Sequence, residues 1–284
     1  MVHRMATPHP NEASTLFALL LRALPGFGQQ SLWRITRAFE DLSHLRSFPR
    51  EHVLAHLKGI PKRSEKVHWL FDDQRLAPHL AEAEAAARDL AHKKVDLILA
   101  ARAPFFARID PLPKKVRPSL LYHYGSPMSS QSRVGFLARG ALSEAAFAWS
   151  EIVLDALPES VTVVTGIHGG FDVVASKRRQ RVTHLSIDGF SRIEPTYRPT
   201  VIASLKRGGG LLSSKAPSEQ AEQHDWHTRA WLMAALCDDL VVLDSDHAFE
   251  DVQHWCEQMG KRVWHVNGPV VPGIDALLDG YRSL

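Results

Sequence analysis

The chain has 284 residues, of which 45% are apolar and 23% are charged, and it contains only two cysteines. This composition is that of an ordinary folded protein, and it excludes a disordered chain, a collagen and a coiled coil. Two cysteines cannot build a disulfide framework or a cysteine-rich zinc module, so a reducing compartment is expected. Because no apolar run is long enough to span a bilayer and no secretory signal is evident, the sequence predicts a cytoplasmic protein without a membrane partner.

The charge is distributed unevenly along the chain. Residues 1–117 carry 19 Lys and Arg against 12 Asp and Glu, whereas residues 208–284 carry 5 against 12. A basic front favours a polyanionic partner, although solubility alone also explains a surplus of this size. Any nucleic-acid contact is therefore expected in the front and in the residues before 208, away from the acidic end.

Apolar residues at helical spacing predict a helical first third. A helix is expected from Ser14 or Thr15 to Leu24, and others are expected at 29–39, 51–58, 64–71 and 78–92. A short buried strand at 96–99 precedes four prolines, which predict a rigid extended connector over 102–118. This pattern predicts a flexible N-terminus, a small helical domain and a connector with the first strands, at 1–13, 14–92 and 93–131 respectively.

From Arg133 onward, strands and helices alternate. Strands are predicted at 133–137, 161–165, 182–187, 210–213, 239–244 and 262–266, and helices at 142–157, 171–177, 198–207, 225–236 and 248–259. Such alternation predicts an α/β domain over 132–284, in which a mostly parallel, Rossmann-like sheet carries helices on both faces. Ligands bind beyond the carboxyl ends of the strands in open sheets of this kind, so the loops that follow the strands are the candidate sites.

The loop after the second of these strands is rich in glycine. Residues 165–172 read TGIHGGFD, and three glycines in five residues let backbone N–H groups approach a ligand closely. A helix N-terminus follows and favours an anion, although a tight turn alone also needs such glycines. Asp172 is expected to cap that helix or to contact a sugar hydroxyl. The candidate cradle consists of Thr165, Gly166, His168, Gly169 and Gly170.

Basic residues supply the other candidate contacts with phosphate. Arg139 and Lys215 each follow a predicted strand, where an Arg or Lys can hold a phosphate or form a surface ion pair. The densest basic run can neutralise a nucleic-acid backbone or lie in a solvated turn, and it consists of Lys177, Arg178, Arg179 and Arg181. Trp226, His227 and Arg229 combine aromatic rings with a cation, as single-strand binding requires, or they pack within a helix.

No catalytic set stands out in the sequence. The nucleophile elbow, the Walker loop and the HExxH motif are all missing, and no GxGxxG follows the strand at 133–137, so no dinucleotide cofactor is predicted. His224 and His227 have a metal-like spacing, but no carboxylate or cysteine partner is evident, so no metal site is predicted. Cys237 and Cys256 lie on apolar segments and are predicted to be buried thiols.

Several segments, in order along the chain, resemble the DNA-processing protein A (DprA/Smf) family. Residues 20–28 are similar to the turn of its helix-hairpin-helix-like or SAM-like N-terminal module. The loop at 165–172 resembles its Ser-Gly-x-x-x-Gly-Ile-Asp signature, with Thr for Ser and Phe for Ile. Arg139 and Arg229 fall on arginines of the family. Further similar segments lie at 118–125, 210–217, 235–243 and 260–268.

The resemblance spans residues 14–275 and has three departures. The family's Ser-Gly-Ser-x-x-Thr-Ala loop is missing after Asp244-Ser245, the second arginine before the helix is Trp231 here, and the segment between Asp172 and Val182 is shortened. These departures fall on positions that contact an anion in the family.

The resemblance implies a non-enzymatic protein that binds single-stranded DNA, loads a RecA-like recombinase on it in recombination or natural transformation, and forms a homodimer. Its phosphate contacts would come from Arg139, Thr165, Gly166, His168, Gly169, Gly170, Lys177, Arg178, Arg179, Arg181, Lys215 and Arg229. One alternative is a nucleotide-sensing Rossmann domain that signals to a protein partner, for example in phage defence or stress response. Another is a nucleotide hydrolase that uses Asp172, Asp188 or Glu194.

Overall fold

A computed structural model describes residues 10–128, 132–138, 140–167, 169–243, 247–266 and 273–281. The chain divides into two compact units, one of residues 1–110 with 117–121, and the other of residues 111–116 with 122–284. Within the described ranges, no helix combines the length and the apolar character needed to cross a membrane.

The first unit is built mainly of helices, as predicted. They are α1 (Pro10–Ala23), α2 (Gln29–Ala38), α3 (Leu42–Arg46), α4 (Arg50–His56), α5 (Arg63–Leu70), α6 (Asp73–His92) and α7 (Phe106–Ile109). Helix α1 begins at Pro10, four residues before the predicted cap, because proline suits the first helical position. Helix α6 begins five residues early because the Asp72 carboxylate caps it, accepting the Arg75 N–H at 3.1 Å.

Two elements of this unit were not predicted. Helix α3 is short, and it forms because the Asp41 carboxylate accepts the His44 N–H at 2.7 Å. Helix α7 interrupts the stretch that was predicted to be extended. Phe106 stacks on Trp33 with ring centroids 5.8 Å apart, and Ile109 is fully buried, so tertiary packing favours a helical turn between the prolines.

The strands form one sheet in the order β1-β2-β6-β5-β4-β3-β7-β8. Strands β3 to β8 pair in parallel, whereas β2 runs antiparallel to β6. The predicted mostly parallel α/β fold is therefore confirmed. The strands are β1 (Asp96–Leu99), β2 (Leu120–Gly125), β3 (Arg133–Ala138), β4 (Thr162–Thr165), β5 (Val182–Ser186), β6 (Gly210–Ser213), β7 (Asp239–Leu243) and β8 (Arg262–Val266).

The helices of the second unit cover this sheet. They are α8 (Glu144–Ala156), α9 (Gly170–Arg178), α10 (Arg198–Lys206), α11 (Asp225–Leu236), α12 (Glu250–Gln258) and α13 (Ile274–Asp279). The core consists of strand residues such as Val163 and Val241 packed against Trp149 of α8 and Phe171 of α9. Helix α13 was not predicted, since Leu277 is its only buried residue and its apolar pattern is short. The parallel strands β3 and β4 bring their carboxyl ends to the same edge, where the candidate site lies.

Candidate nucleic-acid interface

A cavity of about 250 Å³ lies beyond the carboxyl ends of β3 and β4. Phe136, Leu142 and Phe171 give it apolar walls, whereas Gly166, Gly169, Gly170, Asp172, Trp226 and Arg229 supply its polar and aromatic lining. The glycine-rich loop, the start of α9 and the first turns of α11 therefore meet where an open parallel sheet binds its ligands. The structure brings together six of the residues that were selected from the sequence.

Asp172 fixes the conformation of the glycine-rich loop. Its carboxylate accepts the hydroxyl proton of Thr165 through Oδ1 and the N–H of Gly169 through Oδ2, the latter at 2.9 Å. Asp172 is 8% exposed, so these bonds are made in a protected environment. The carboxylate therefore holds the loop against the first turn of α9, which is the capping role that the sequence suggested. Gly170, the first residue of α9, remains exposed at the cavity.

Arg229 is the strongest electrostatic feature of the cavity. Its side chain is buried, and its guanidinium carbon lies 4.4 Å from the ring centroid of Trp226. Among the described residues, Nε and Nη1 have no hydrogen-bond partner. Burial lowers the pKa of Arg229 to about 10, and the negative charge of Asp172 opposes this shift only in part. A buried cation with unused donors is costly in free energy unless a negatively charged group lies close to it.

Gly166 allows this arrangement because it has no side chain. A Cβ atom at this position would lie 2.5 Å from Nη1 of Arg229 and 3.2 Å from Oδ2 of Asp172. Both distances are shorter than a normal van der Waals contact, and the buried guanidinium has little room to move. Gly166 is therefore required by the close approach of Arg229 to the loop.

His184 supports the loop from below and was not singled out in the sequence. It is fully buried on β5, with Nδ1 2.9 Å from the carbonyl oxygen of Gly166 and Nε2 3.1 Å from Oγ of Ser176. Burial lowers the pKa of His184, which favours the neutral ring. Nδ1–H then donates to the carbonyl oxygen of Gly166, and Nε2 faces the Ser176 hydroxyl group, which itself donates to the carbonyl oxygen of Asp172 at 2.8 Å. The only sequence signal was a histidine inside an otherwise buried strand.

The basic run between α9 and β5 does not reach this cavity. Lys177 is exposed at the far end of α9, and Arg181 precedes β5 at the opposite edge of the sheet. Arg178 forms ion pairs with Glu151, at 2.7 Å, and with Asp155 on α8. The run is therefore separated from the cradle by the length of α9.

Arg179 of this run is a buried structural residue. Its guanidinium donates to the carbonyl oxygens of Leu157 at 2.7 Å and Pro158 at 2.6 Å, and also to those of Leu154 and Val161. These carbonyls lie at and beyond the end of α8, where helical partners are missing. Arg179 therefore ties α9 to the C-terminus of α8.

Replacement of Arg179 by alanine is expected to destabilise the fold without changing the affinity for nucleic acid per folded molecule. Loss of one guanidinium leaves several buried carbonyls unpaired, which corresponds to about 2–4 kcal/mol of unfolding free energy. Urea unfolding and an oligonucleotide titration of the same sample measure the two effects. A variant with unchanged stability but weakened binding would contradict the structural role, and Lys177→Ala serves as the exposed control.

The other predicted contacts are absent from the described lining of the cavity or lie outside the described residues. Lys215, in the loop before α11, forms an ion pair at 3.0 Å with Asp225, the first residue of that helix. Nε2 of His227 lies 2.9 Å from a carboxylate oxygen of Asp251, so only Trp226 and Arg229 of that triplet line the cavity. Arg139 and His168 lie outside the described residues, as does the segment after β7 that follows Leu243.

Three further features of the sequence concern a metal site, the two cysteine thiols and Trp231. In the described ranges, no cluster of three or more His, Cys, Asp or Glu side chains could hold a metal ion. Cys237 and Cys256 are buried free thiols, as predicted. Trp231, at the position where the family has an arginine, is buried and packs edge-on against Trp255 at 5.7 Å. This position therefore contributes to packing and supplies no charge.

The sequence profile of the DNA recombination-mediator protein A family matches residues 105–273, which is more than half of the chain and includes the whole cavity. The chain belongs to this family. The resemblance noted in the sequence is therefore confirmed.

Two solved structures of this family share the fold. DNA processing protein A (DprA) from Streptococcus pneumoniae superposes with a TM-score of 0.62 at 15% sequence identity, covering 92% of this chain and 90% of that chain. DNA processing protein A from Helicobacter pylori, whose structure was determined for its single-stranded DNA binding mode, gives 0.53 at 17% identity, with 66% and 98% coverage. No curated protein sequence matches the chain significantly.

Proposed function

We propose that this member of the recombination-mediator family binds single-stranded DNA, with one backbone phosphate in the cradle between the N-terminus of α9, Gly166 and Arg229. The observation that carries the proposal is the buried guanidinium of Arg229, whose Nε and Nη1 have no partner among the described residues. A phosphate oxygen accepts such donors through charge-assisted bonds, and the positive end of a helix dipole adds to the attraction. The role is binding and presentation of the strand, without a chemical step.

Trp226 extends the cradle toward a base. Its ring is partly exposed at the cavity and lies beside the Arg229 guanidinium. Single-strand binding proteins combine a cation for the phosphate with an aromatic ring on which a base stacks. The cavity of about 250 Å³ holds one phosphate with its neighbouring group, so the strand must continue across the rim.

A titration of a fluorescent oligothymidylate against the purified chain tests this function. Binding is expected at low salt, and the logarithm of the association constant should fall linearly with the logarithm of salt concentration, by about 0.7 per phosphate contacted. A duplex of equal length should compete less well, because its bases cannot stack on Trp226. Absence of binding at about 50 mM salt would refute the proposal.

The resemblance also implies a RecA-like recombinase as partner and a homodimer, and both stay predictions. The single-stranded DNA binding mode of the H. pylori relative supports a single-stranded ligand for this chain and does not bear on a recombinase. Co-sedimentation of the chain with a recombinase on single-stranded DNA would test the partner, and analytical ultracentrifugation would test the dimer.

Replacement of Trp226 by alanine is expected to weaken binding of the oligonucleotide roughly 5- to 100-fold, since stacking of one base contributes about 1–3 kcal/mol. Trp226→Phe keeps an aromatic face and should recover most of the affinity. Fluorescence anisotropy measures both variants. Equal affinities of the alanine variant and the wild type would show that no base stacks at this ring.

A nucleotide-sensing function is the second candidate, and the small size of the cavity favours it. A volume of about 250 Å³ with one buried cation can enclose a single phosphate-bearing group, whereas a strand has to continue beyond the cavity. A nucleotide that saturates the site should stabilise the fold by about 2–4 kcal/mol, which a thermal-shift screen detects. A stabilising nucleotide together with no oligonucleotide binding would favour this function over the first.

A further inference from the structure

A second cavity, of about 500 Å³, lies at the opposite edge of the sheet. Its walls come from the end of β2 and the segment after it, and from the beginnings of β4, β5 and β6. This edge carries the amino-terminal ends of the parallel strands, and it lies one strand length, roughly 16 Å, from the first cavity. The two cavities share no lining residue among those that the structure describes.

The lining of this second cavity is basic and polar. Arg181 and Arg207 supply two guanidinium groups, Gln180 supplies an amide, and the hydroxyl groups come from Ser126, Thr162 and Thr183. None of the described residues that line it carries a carboxylate. Three kinds of side-chain group can thus contact an anion or a sugar, and no negative charge on the described lining residues repels an anion.

Two glycines shape the wall of this cavity. Gly208 has φ +88°, a conformation that favours glycine, and it is exposed at the rim. A Cβ at Gly210 would lie 2.8 Å from the carbonyl oxygen of Ser126. Gly210 therefore lets the start of β6 pack closely against the segment after β2, and both contribute to the lining.

Arg207 is held in place by the protein and still has donors to offer. Its Nη2 donates to the carbonyl oxygen of Ser176 at the end of α9. A guanidinium has five N–H donors, and Arg207 is exposed and lines the cavity, so one such bond leaves other donors available to a ligand. Arg181 lies on the other side of the cavity, at the start of β5, and is exposed. Two guanidinium groups anchored on different elements can hold one phosphate from two sides.

We infer that this cavity is a second phosphate-binding site, which takes the phosphate of a nucleotide between Arg181 and Arg207 with Gln180 beside the base or sugar. Its volume exceeds that of a lone phosphate and suits a mononucleotide. The basic run thereby acquires a function that it does not have at the first cavity: Arg178 and Arg179 are engaged by α8, and Gln180 and Arg181 face the second cavity.

Arg181→Gln tests this inference, with Lys206→Gln as the matched control. Lys206 is an exposed neighbour of Arg207 and does not line the cavity. Its replacement by glutamine changes the net charge by the same amount as Arg181→Gln. Thymidine monophosphate and a short oligothymidylate are titrated against the full chain by calorimetry, and inorganic phosphate serves as competitor. Arg181→Gln is expected to weaken binding about tenfold, and Lys206→Gln less than twofold. Unchanged thermal unfolding of both variants shows that the fold is intact.

The two probes distinguish the source of the phosphate. If Arg181→Gln weakens the binding of thymidine monophosphate, and inorganic phosphate displaces this nucleotide from the wild type, the site is assigned to free nucleotides. If Arg181→Gln weakens the binding of the oligonucleotide alone, the site is assigned to a phosphate in the backbone of a strand. Binding of both probes that is independent of Arg181, or equally sensitive to Lys206→Gln, overturns the inference. The Trp226→Ala variant reports on the first cavity separately, so failure of one site does not conceal failure of the other.

Discussion

Replacement of Arg229 by methionine is expected to abolish binding of single-stranded DNA while the protein remains at least as stable as the wild type. The lost contact is a buried, charge-assisted one, and its removal should weaken binding by at least about 2 kcal/mol, or roughly 30-fold. Methionine is unbranched and fills an apolar space of similar length.

The stability expectation follows from the pKa of Arg229. Burial lowers the pKa from the ordinary value of an arginine to about 10, so the folded state holds the charged form less well than the unfolded chain does. The attraction of Asp172 does not compensate fully. Below pH 10 this group therefore opposes folding, and a neutral side chain removes that cost, on the order of 1–3 kcal/mol.

Chemical denaturation and fluorescence anisotropy measure the two quantities on the same preparation. Arg88→Met removes an exposed arginine on α6 and should change neither quantity by much. Arg229→Lys keeps the charge but loses the paired donors, and it should bind with intermediate affinity. A methionine variant that binds as tightly as the wild type would remove Arg229 from the site.

Replacement of Gly166 by alanine is expected to abolish binding as well, but with a loss of stability. The added methyl group would lie 2.5 Å from Nη1 of Arg229 and 3.1 Å from its Cζ, so the guanidinium must leave its position. Overpacking of a buried site costs about 1–3 kcal/mol of unfolding free energy. Displacement of the cation should weaken binding at least about tenfold.

Two alanine variants separate the possible reasons for such a loss. A Cβ at Gly170 meets no atom within 4 Å, so Gly170→Ala should leave the protein unchanged and weaken binding only where the ligand touches the start of α9. A Cβ at Gly273, outside the site, also meets nothing within 4 Å, and that variant should be neutral in both measurements. A Gly166→Ala variant with wild-type stability and affinity would contradict the close approach of Arg229.

The alternation of strands and helices was predictable because the buried strands are apolar and their loops contain glycine and proline. Where tertiary contacts decide the local structure, the sequence was less informative. Helix α7 depends on the contact of Phe106 with Trp33, and α6 begins at a cap, Asp72, that lies before its Ala-rich pattern. Such contacts join residues that are distant in sequence or break a pattern, so periodicity does not reveal them.

The candidate site, too, was predictable only where the local sequence pattern decides the structure. The glycine-rich loop was predictable because a cluster of glycines directly after a strand has few physical explanations other than a tight turn or a close approach of the backbone to another group. Charge density was a poor guide to the basic run, because an arginine can donate to carbonyl oxygens as Arg179 does, and only the fold brings those carbonyls together. His184 was missed because its role depends on a hydrogen bond with the carbonyl oxygen of Gly166, in the loop that follows the neighbouring strand β4.

Photo-crosslinking of a strand that contains 4-thiothymidine tests the central claim most directly, because it reports where the strand lies. The cradle predicts an adduct on Trp226, within the tryptic peptide of residues 216–229 in the wild type. The Arg229→Met variant lacks the cleavage site at 229, so its corresponding peptide spans residues 216–261, and the adduct on Trp226 should be lost there. Crosslinks that avoid Trp226 in the wild type, or an adduct that persists on Trp226 in the variant, would contradict a strand held at the cavity by Arg229.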